Sequence, residues 1–238
     1  VETHGAASAG RAHSSMKKPP VTPRSRDPDA TRARILAAAK SEFARRGLGG
    51  ARVDDIAAKA KINKRMLYHY FGNKEELFTR ILEDAYGDFR AAEAALKIEQ
   101  DDPITALKRL VTFTWEYYLA NPEFITLVNS ENLHKARHIK KSERMDDINK
   151  PFIARMQTLL ERGVADGLFR PNLDPVQILI VLAGVGFHYL TNRHTGAIVY
   201  GRELMSETAK AARLAFNIDS VLRIVCKPEV LIKLEMQA

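Results

Sequence analysis

A short segment near the start of the chain carries cationic and aromatic side chains at helical spacing. Positions i, i+1, i+4 and i+5 of one helix face are occupied by Lys64, Arg65, Tyr68 and His69. Lysine and arginine bind phosphate oxygens, and arginine also pairs with guanine in the major groove of DNA. This face is therefore predicted to contact duplex DNA, together with four side chains near it: Arg52, Asn63, Met66 and Lys74.

Two histidines further along the chain have the spacing of a metal site. His134 and His138 stand four residues apart, which suits two ligands on one helix face. Lysine and arginine side chains surround both of them, and this positive charge opposes the binding of a cation. We therefore expect a solvated face or loop here, and no metal.

The sequence lacks the local patterns of an enzyme. It contains no glycine-rich phosphate loop, no HExxH motif and no locally supported Ser-His-Asp series. Acidic pairs such as Asp54 and Asp55 stand where helices begin, and they are predicted to act there as caps. An enzyme that uses His188 or the single cysteine, Cys226, is the less favoured alternative, and we expect no cofactor.

The distribution of charge favours a polyanionic partner. Residues 31–74 carry eleven basic and three acidic side chains, whereas residues 75–238 carry 21 and 23. Such polarity predicts a nucleic-acid-binding head on a nearly neutral body, with a solvated basic face that binds no partner as the alternative.

Composition bounds the class of protein. With 45% apolar residues the 238-residue chain can bury a core, and no apolar run approaches the roughly 18 residues of a membrane helix. One cysteine permits no internal disulfide and no cysteine-rich zinc site. We therefore expect a soluble protein of the reducing cytoplasm with no membrane partner.

Helical periodicity dominates the chain and predicts an all-α fold of about nine helices. Residues 1–29 are the exception: they lack an apolar period and are predicted to be a disordered basic arm. The first helix is expected over about 30–46, capped by Asp29 or Thr31 and ended by Gly47.

Two short helices are expected next, over about 53–60 and 64–70, the second of them capped by Asn63. A packing helix followed by two short helices and a tight turn is a helix-turn-helix arrangement. The fold class is therefore an N-terminal three-helix domain over residues 30–73, followed by a larger helical domain.

The larger domain is punctuated by proline, glycine and asparagine. Longer helices are expected over about 74–96, 103–120, 122–133, 149–165, 175–192 and 202–225, and Asn73 is expected to cap the first of them. Residues 134–148 are polar and predict a loop or a ragged helix, and a glycine-containing loop separates the last two long helices. Pro228 precedes a short helix in a C-terminal tail, residues 229–238.

The N-terminal third resembles the DNA-binding domain of the TetR family of transcriptional repressors. The resemblance spans Arg32 to Leu82 and rests on four runs: Ile35-Leu-x-Ala-Ala-x-x-x-Phe-Ala-x-x-Gly47, Ile56-Ala-x-x-Ala60, Leu67-Tyr-His-Tyr-Phe71 and Asn73-Lys-Glu-x-Leu77. Two positions depart from the family pattern. Lys61 stands where the family usually has glycine, at a cost of about 1 kcal/mol if the backbone there is left-handed. Ala51-Arg52 replaces a Thr-Thr pair, which exchanges a hydroxyl for a cation.

Four runs of the C-terminal part lie mainly at helix ends: Asn121-Pro-Glu-Phe124, Glu131-Asn-Leu133, Gly167-Leu-Phe-Arg170 and Asp174-Pro175. In these runs the chain is similar to a RutR-like branch of the same family, and no pyrimidine ligand is inferred from the similarity. The resemblance implies a small-molecule site and a dimer contact within residues 74–228. Candidate ligand-binding side chains are Trp115, Tyr118, Asn129, Phe152, His188 and Asn192. All of them except Phe152 are expected to converge on one cavity, with ordinary core packing as the alternative for each.

The resemblance also implies that the last two long helices form a four-helix bundle with a second copy. The candidate dimer residues are Leu179, Leu182, Gly186, Ala211, Leu214 and Ile218. Two helices buried inside the monomer are the alternative reading of these apolar stripes.

These observations predict a ligand-responsive, sequence-specific regulator that binds double-stranded DNA. The family resemblance implies a repressor that holds a palindromic operator as a homodimer and is released by an unknown small molecule. A DNA-binding adaptor whose C-terminal domain binds protein is the alternative, and a filled C-terminal core would favour it.

Overall fold

The computed structural model describes residues 1–2 and 27–236, and within these residues it is almost entirely helical. The predicted disordered arm lies outside the described residues, apart from its two ends. Eleven α-helices are present in the described part, so the all-α prediction is confirmed and the expected number of about nine is too low. The only extended pairing described is a single bridge between Phe169 and Cys226.

The first four helices form the N-terminal part: α1 (Pro28–Gly50), α2 (Val53–Lys59), α3 (Lys64–Phe71) and α4 (Lys74–Ala94). The remaining seven are α5 (Pro103–Ala120), α6 (Pro122–Leu133), α7 (Arg144–Ala165), α8 (Pro175–Thr191), α9 (Arg193–Val199), α10 (Glu207–Val225) and α11 (Pro228–Glu235). Two 3₁₀ turns, Ile98–Gln100 and Ile139–Lys141, precede α5 and α7 respectively.

The start of α1 differs from the prediction. Asp27, and not Asp29 or Thr31, caps the helix, because its carboxylate accepts hydrogen bonds from the backbone N–H groups of Asp29 and Ala30 at 3.0 and 3.3 Å. Pro28 then occupies the first helical position, where its fixed φ favours the helix and its missing N–H costs nothing. Gly47 breaks the regular helix as predicted, with φ of 65°.

Local caps and turns shape the segment from α2 to α4, which contains the predicted DNA-binding face. Asn63 accepts a hydrogen bond from the Met66 N–H at 2.8 Å, and Asn73 accepts one from the Glu76 N–H at 2.9 Å, which confirms both predicted caps. Gly72, with φ of 69°, makes the sharp bend between α3 and α4. Lys61 in the turn between α2 and α3 is left-handed with φ of 55°, as the family pattern implies.

Two helix boundaries were not predictable from the apolar pattern. The expected loop after α8 contains α9, a seven-residue helix around the buried Gly196 that is too short to show a stripe. Helix α7 begins five residues earlier than expected, at Arg144, whose guanidinium donates to the Glu83 carboxylate at 2.9 Å. This long-range ion pair anchors a first turn that has no apolar face of its own.

The helix-turn-helix packs on the larger domain through a shared core. Phe43 of α1 meets Phe78 of α4 edge to face at 5.1 Å between ring centroids. The Leu48 N–H donates to the Ser130 hydroxyl of α6 at 3.2 Å, and both groups are buried. A second cluster of buried side chains lies further from α3 and joins α5, α7, α8 and α10.

No single helix in the described part of the chain is long and apolar enough to cross a membrane. Taken together, α8 and α9 have the required length and composition, but they meet at a bend of 74°.

Candidate DNA interface and internal cavity

Helix α3 presents one polar face to solvent and anchors the other in the core. Leu67 is fully buried, whereas Arg65, Tyr68 and His69 are exposed and Met66 is half-buried. In the described residues, the Arg65 guanidinium forms no ion pair or hydrogen bond within the protein. The predicted reading face is therefore accessible, and its arginine is available to an outside acceptor.

The first residues of α3 are engaged by the protein itself. Lys64 forms an ion pair with Asp54 of α2 at 3.1 Å, and this hydrogen-bonded partner raises the pKa of the lysine. Both side chains are exposed, so the pair contributes little to stability and can open toward a phosphate. The side-chain oxygen of Asn63 caps α3, which makes this residue a positioning group at the edge of the predicted interface.

The N-termini of α2 and α4 lie side by side. The Lys74 ammonium donates to the backbone carbonyl of Ala51 at 3.0 Å and is half-buried. Arg52 is exposed at the start of α2, where its side chain makes no capping bond. Lys74 therefore holds the two helix ends together and keeps two further N–H donors, while Arg52 extends the positive surface.

Several other cations of this segment hold the domain together. Arg46 pairs with Glu42 at 3.0 Å and with Asp55 at 3.3 Å, and Arg34 donates to the Ala60 carbonyl at 3.3 Å. These contacts tie α1 to α2. Some of the cations in this basic segment therefore stabilise the fold, whereas exposed cations on α3 are not needed for that purpose.

A cavity of about 670 Å³ lies between α4, α5, α6, α7 and α8. Its walls are mostly apolar, and the aromatic side chains among them are Tyr86, Phe89, Tyr118, Phe124, Phe152 and Phe187. Cavities of this size and character bind small organic molecules. The rim includes Ile153, Val176 and Ile180, which are all partly exposed.

Few polar side chains line this cavity. Arg90 of α4 is one of them: it donates to Asn149 and to Glu93, both at 3.2 Å, and burial lowers the pKa of its guanidinium. Burial also raises the pKa of the Tyr118 hydroxyl to about 12, so that this group is a neutral donor at physiological pH.

The predicted ligand residues do not converge, so that prediction is wrong. Tyr118 and Phe152 line the main cavity, but His188 and Asn192 line a separate cavity of about 520 Å³ beside α9 and α10. Trp115 is buried between α5 and α8 and lines neither cavity, and its ring packs edge to face on Tyr189. His188 is exposed because α8 turns its other face toward α5.

Asn129 lines neither cavity, because the residues of α6 that face the main cavity are Phe124, Val128 and Asn132. Tyr86, Phe89 and Arg90 of α4 also line the main cavity, and they were not predicted from the sequence. The sequence feature that could have indicated them is Arg90, which follows Phe89 and stands four residues after Tyr86 on a helix with an otherwise apolar stripe.

The predicted dimer stripe mostly faces the core of its own chain. Leu182 is 4% exposed, and Gly186 is buried against Trp115 and Tyr118. Leu179, Leu214 and Ile218 are half-buried against the same two core clusters, and only Ala211 of the six is exposed. The prediction is therefore wrong for Leu182 and Gly186, because a group already buried in the monomer cannot also bury area against a second copy.

The exposed residues of α8 and α10 lie outside this buried stripe, and on α8 they adjoin the main cavity, whose lining includes Ile180 and Gly184. Ile180 is 58% exposed on α8 and Phe216 is 59% exposed on α10. Gly184, Ala212 and Ala215 are small, exposed residues on the same two helices. We call these five residues the outer α8/α10 face.

Both histidines of the pair have hydrogen-bond partners within the protein. His138 is buried, not solvated as expected, and its Nδ1 lies 2.5 Å from Glu131 Oε2. The Nδ1 atom of His134 lies 2.7 Å from the Ser130 carbonyl oxygen. Among the described residues, no cluster of three His, Cys, Asp or Glu side chains has metal-binding geometry.

Comparisons with known proteins agree with this architecture. Residues 35–81 match the family described as "Bacterial regulatory proteins, tetR family", and residues 103–221 match "Tetracyclin repressor-like, C-terminal domain". The solved structure of the ketosteroid transcriptional regulator KstR2 of Mycobacterium tuberculosis shares the fold, with a TM-score of 0.60 and 23% identity over 82% of this chain and 95% of that chain.

Curated relatives are similar over nearly their whole length. The chain is 38% identical over 200 residues to the HTH-type transcriptional repressor NicS of Pseudomonas putida, covering 84% of this chain and 94% of that protein. It is 28% identical over 204 residues to the HTH-type transcriptional regulator RutR of Escherichia coli, covering 85% of this chain and 92% of that protein. These relatives are regulators, which confirms the preference for a regulator over an enzyme. Both the sequence match and the helix arrangement place the chain in the TetR family of helix-turn-helix transcriptional repressors.

Proposed function

We propose that this chain is a homodimeric repressor that reads a palindromic operator with α3 and releases it when a small organic molecule enters the main cavity. The exposed face of α3 carries this proposal, because Arg65, Tyr68 and His69 project from it while Leu67 beneath them is fully buried. We assign DNA binding to residues 30–73, and effector binding and dimerisation to residues 74–228. The protein would act in the cytoplasm, where it meets chromosomal DNA.

A second copy is expected to cover the outer α8/α10 face. This face places Ile180 and Phe216 in water although both are large and apolar. The small residues Gly184, Ala212 and Ala215 permit the helices of two copies to approach closely. A two-fold dimer also presents two copies of α3, as a palindromic operator requires.

Two helices, α4 and α6, connect the cavity to the DNA-binding domain and can transmit the effect of a bound molecule. Helix α4 contributes Arg90 to the cavity wall at one end, and at the other end it follows α3 after two residues. Helix α6 contributes Val128 to the wall, while its Ser130 accepts the hydrogen bond from Leu48 of α1. An effector that prefers one arrangement of α4 and α6 therefore changes the separation of the two reading helices, and operator affinity falls by its differential binding energy.

The cavity also bears on the adaptor alternative. An adaptor that binds protein would need no space within its C-terminal core, whereas a volume of about 670 Å³ that is lined by five helices and open at its rim suits a ligand. The ligand-controlled repressor is therefore the function that we favour.

Selection of DNA from a random duplex pool with the full chain tests this proposal. We expect an inverted repeat whose half-sites are about one helical turn, or a multiple of it, apart. The Arg65→Ala variant should fail to enrich the same sequence, whereas Arg80→Ala, a control on α4 whose guanidinium pairs with Asp84, should enrich it. Enrichment of no sequence, or of an identical sequence by Arg65→Ala, would overturn the assignment of α3.

A further inference from the structure

We propose that the main cavity selects a small organic anion, a carboxylate above all, with a flat apolar body. The inference rests on the proposed effector role of this cavity and names the chemical class that it admits. Its first support is charge: of the described residues that line the cavity, Arg90 is the single cation and none is a carboxylate. A cavity with this lining favours negative ligands over neutral or positive ones.

Arg90 is held in one orientation by groups around the cavity. Its Nε donates to the Asn149 side-chain oxygen and its Nη1 to Glu93, both at 3.2 Å. The guanidinium carbon lies 3.5 Å from the centroid of the Phe152 ring, in the geometry of a cation–π contact. A fixed arginine loses little conformational entropy when it binds a ligand.

The nearby carboxylate does not cancel this charge. Glu93 also accepts a hydrogen bond from Arg155 at 3.0 Å, so two guanidinium groups share one carboxylate. The trio of Arg90, Arg155 and Glu93 keeps a net positive charge. Because Arg155 does not line the cavity, the excess charge is presented to a ligand through Arg90.

The cavity also offers hydrogen-bond donors that no acceptor of the protein uses. In the described part of the chain, no protein acceptor takes a hydrogen bond from Arg90 Nη2 or from the hydroxyls of Tyr86 and Tyr118. In contrast, Thr114 and Asn149 already donate to backbone carbonyls of their own helices. Three unused donors suit the oxygens of a carboxylate.

The remaining walls favour a flat body. Phe89 and Phe124 are stacked at 5.3 Å between centroids, and Tyr118 is stacked on each of them at 5.9 and 6.0 Å. Phe152 and Phe187 add two more rings. Aromatic faces arranged in this way pack well against a planar apolar group, while the donors fix its charged end.

Isothermal titration of the full chain with three probes of one shape tests the inference: 2-naphthoate, 2-naphthamide and 2-naphthylmethylammonium. We expect 2-naphthoate to bind at least tenfold more tightly than the amide, and the cation to bind most weakly. The neutral amide offers Arg90 an uncharged carbonyl oxygen, which forms a weaker hydrogen bond than a carboxylate does, and a positive ligand is repelled by the guanidinium.

Two arginine variants assign the preference to a single side chain. Arg90→Gln should remove the preference for 2-naphthoate over 2-naphthamide, whereas Arg80→Gln, a control on the same helix whose guanidinium pairs with Asp84 outside the cavity lining, should change it less than threefold. Arg90→Lys keeps the charge and should retain a reduced preference. If circular dichroism shows that Arg90→Gln does not fold, Arg90→Lys and the wild-type comparison still test the inference.

Each outcome has a defined meaning. Equal binding of acid and amide, a preference that survives in Arg90→Gln, or no binding of any probe at millimolar concentration overturns the inference. The same probes are then added to the operator complex. If the amide releases DNA as well as the acid does, the anion class is wrong and the proposed repressor function stands. If the acid binds through Arg90 without weakening DNA binding, the anion class stands and the proposed control of DNA binding fails.

Discussion

The cations around α3 differ in whether they already bond to another group of the protein. Lys64 pairs with Asp54 and Lys74 donates to the Ala51 carbonyl, whereas Arg65 has no protein partner in the described part of the chain. A cation with a structural bond affects both stability and DNA affinity when it is removed. A cation without one affects DNA affinity alone, so that the two classes can be separated by experiment.

Replacement of Lys74 with alanine should show both effects. Loss of the hydrogen bond to Ala51 should lower the free energy of unfolding by about 1 kcal/mol, measured by urea titration. Loss of a phosphate contact should reduce the slope of log K against log salt by roughly one unit per half-site, equally on all sequences. An unchanged salt slope would remove Lys74 from the DNA interface and leave it a structural role only.

At the scale of the element, the turn between α2 and α3 carries a local cost. Lys61 adopts φ of 55°, a conformation that glycine reaches without the steric cost of a Cβ atom. The cost persists because Leu67 and Ile56 on either side of the turn are fully buried and fix its geometry.

The Lys61→Gly variant should therefore be more stable, by up to about 1 kcal/mol in the free energy of unfolding. The matched control is Ala58→Gly, three residues earlier and inside α2, which should lose about 1 kcal/mol because glycine is unfavourable in a helix. Thermal or urea unfolding measures both variants. If Lys61→Gly were as destabilised as the control, the left-handed turn would be the wrong description of this segment.

The elements also show what the sequence could predict. The caps at Asn63 and Asn73 and the break at Gly47 depend on neighbouring residues only, and all three were predicted. The orientation of α8 was not, because this helix is apolar on nearly every face and its periodicity cannot choose which face packs on α5. The choice is made by shape, where Gly186 leaves room for the rings of Trp115 and Tyr118.

Which residues line the main cavity also depends on how the helices are oriented. Tyr118 and Phe152 were named as ligand candidates, but their position beside Arg90 requires α4, α5 and α7 to be packed correctly in three dimensions. Arg90 was missed because an arginine on a helical surface is usually solvated, and its sequence shows neither its burial nor its ring contact with Phe152.

At the scale of the whole molecule, the outer α8/α10 face remains without a partner in the monomer. Phe216→Asp should place a charge in the proposed contact between two copies, which costs several kcal/mol of association free energy. We expect this variant to sediment as a folded monomer. Ile232→Asp on α11, where the side chain is equally exposed, is the matched control and should sediment as wild type does. A dimer that survives Phe216→Asp would locate the interface elsewhere.

The central claim is that α3 reads the operator through Arg65. It is tested most directly by measuring the affinity of wild type and Arg65→Ala for the selected operator and for random-sequence DNA at one salt concentration. Loss of a base contact costs about 1–3 kcal/mol per half-site, so the ratio of specific to random affinity should fall at least tenfold in the variant. The same ratio should be unchanged in Arg80→Ala. An Arg65→Ala protein that keeps the wild-type ratio would contradict the account.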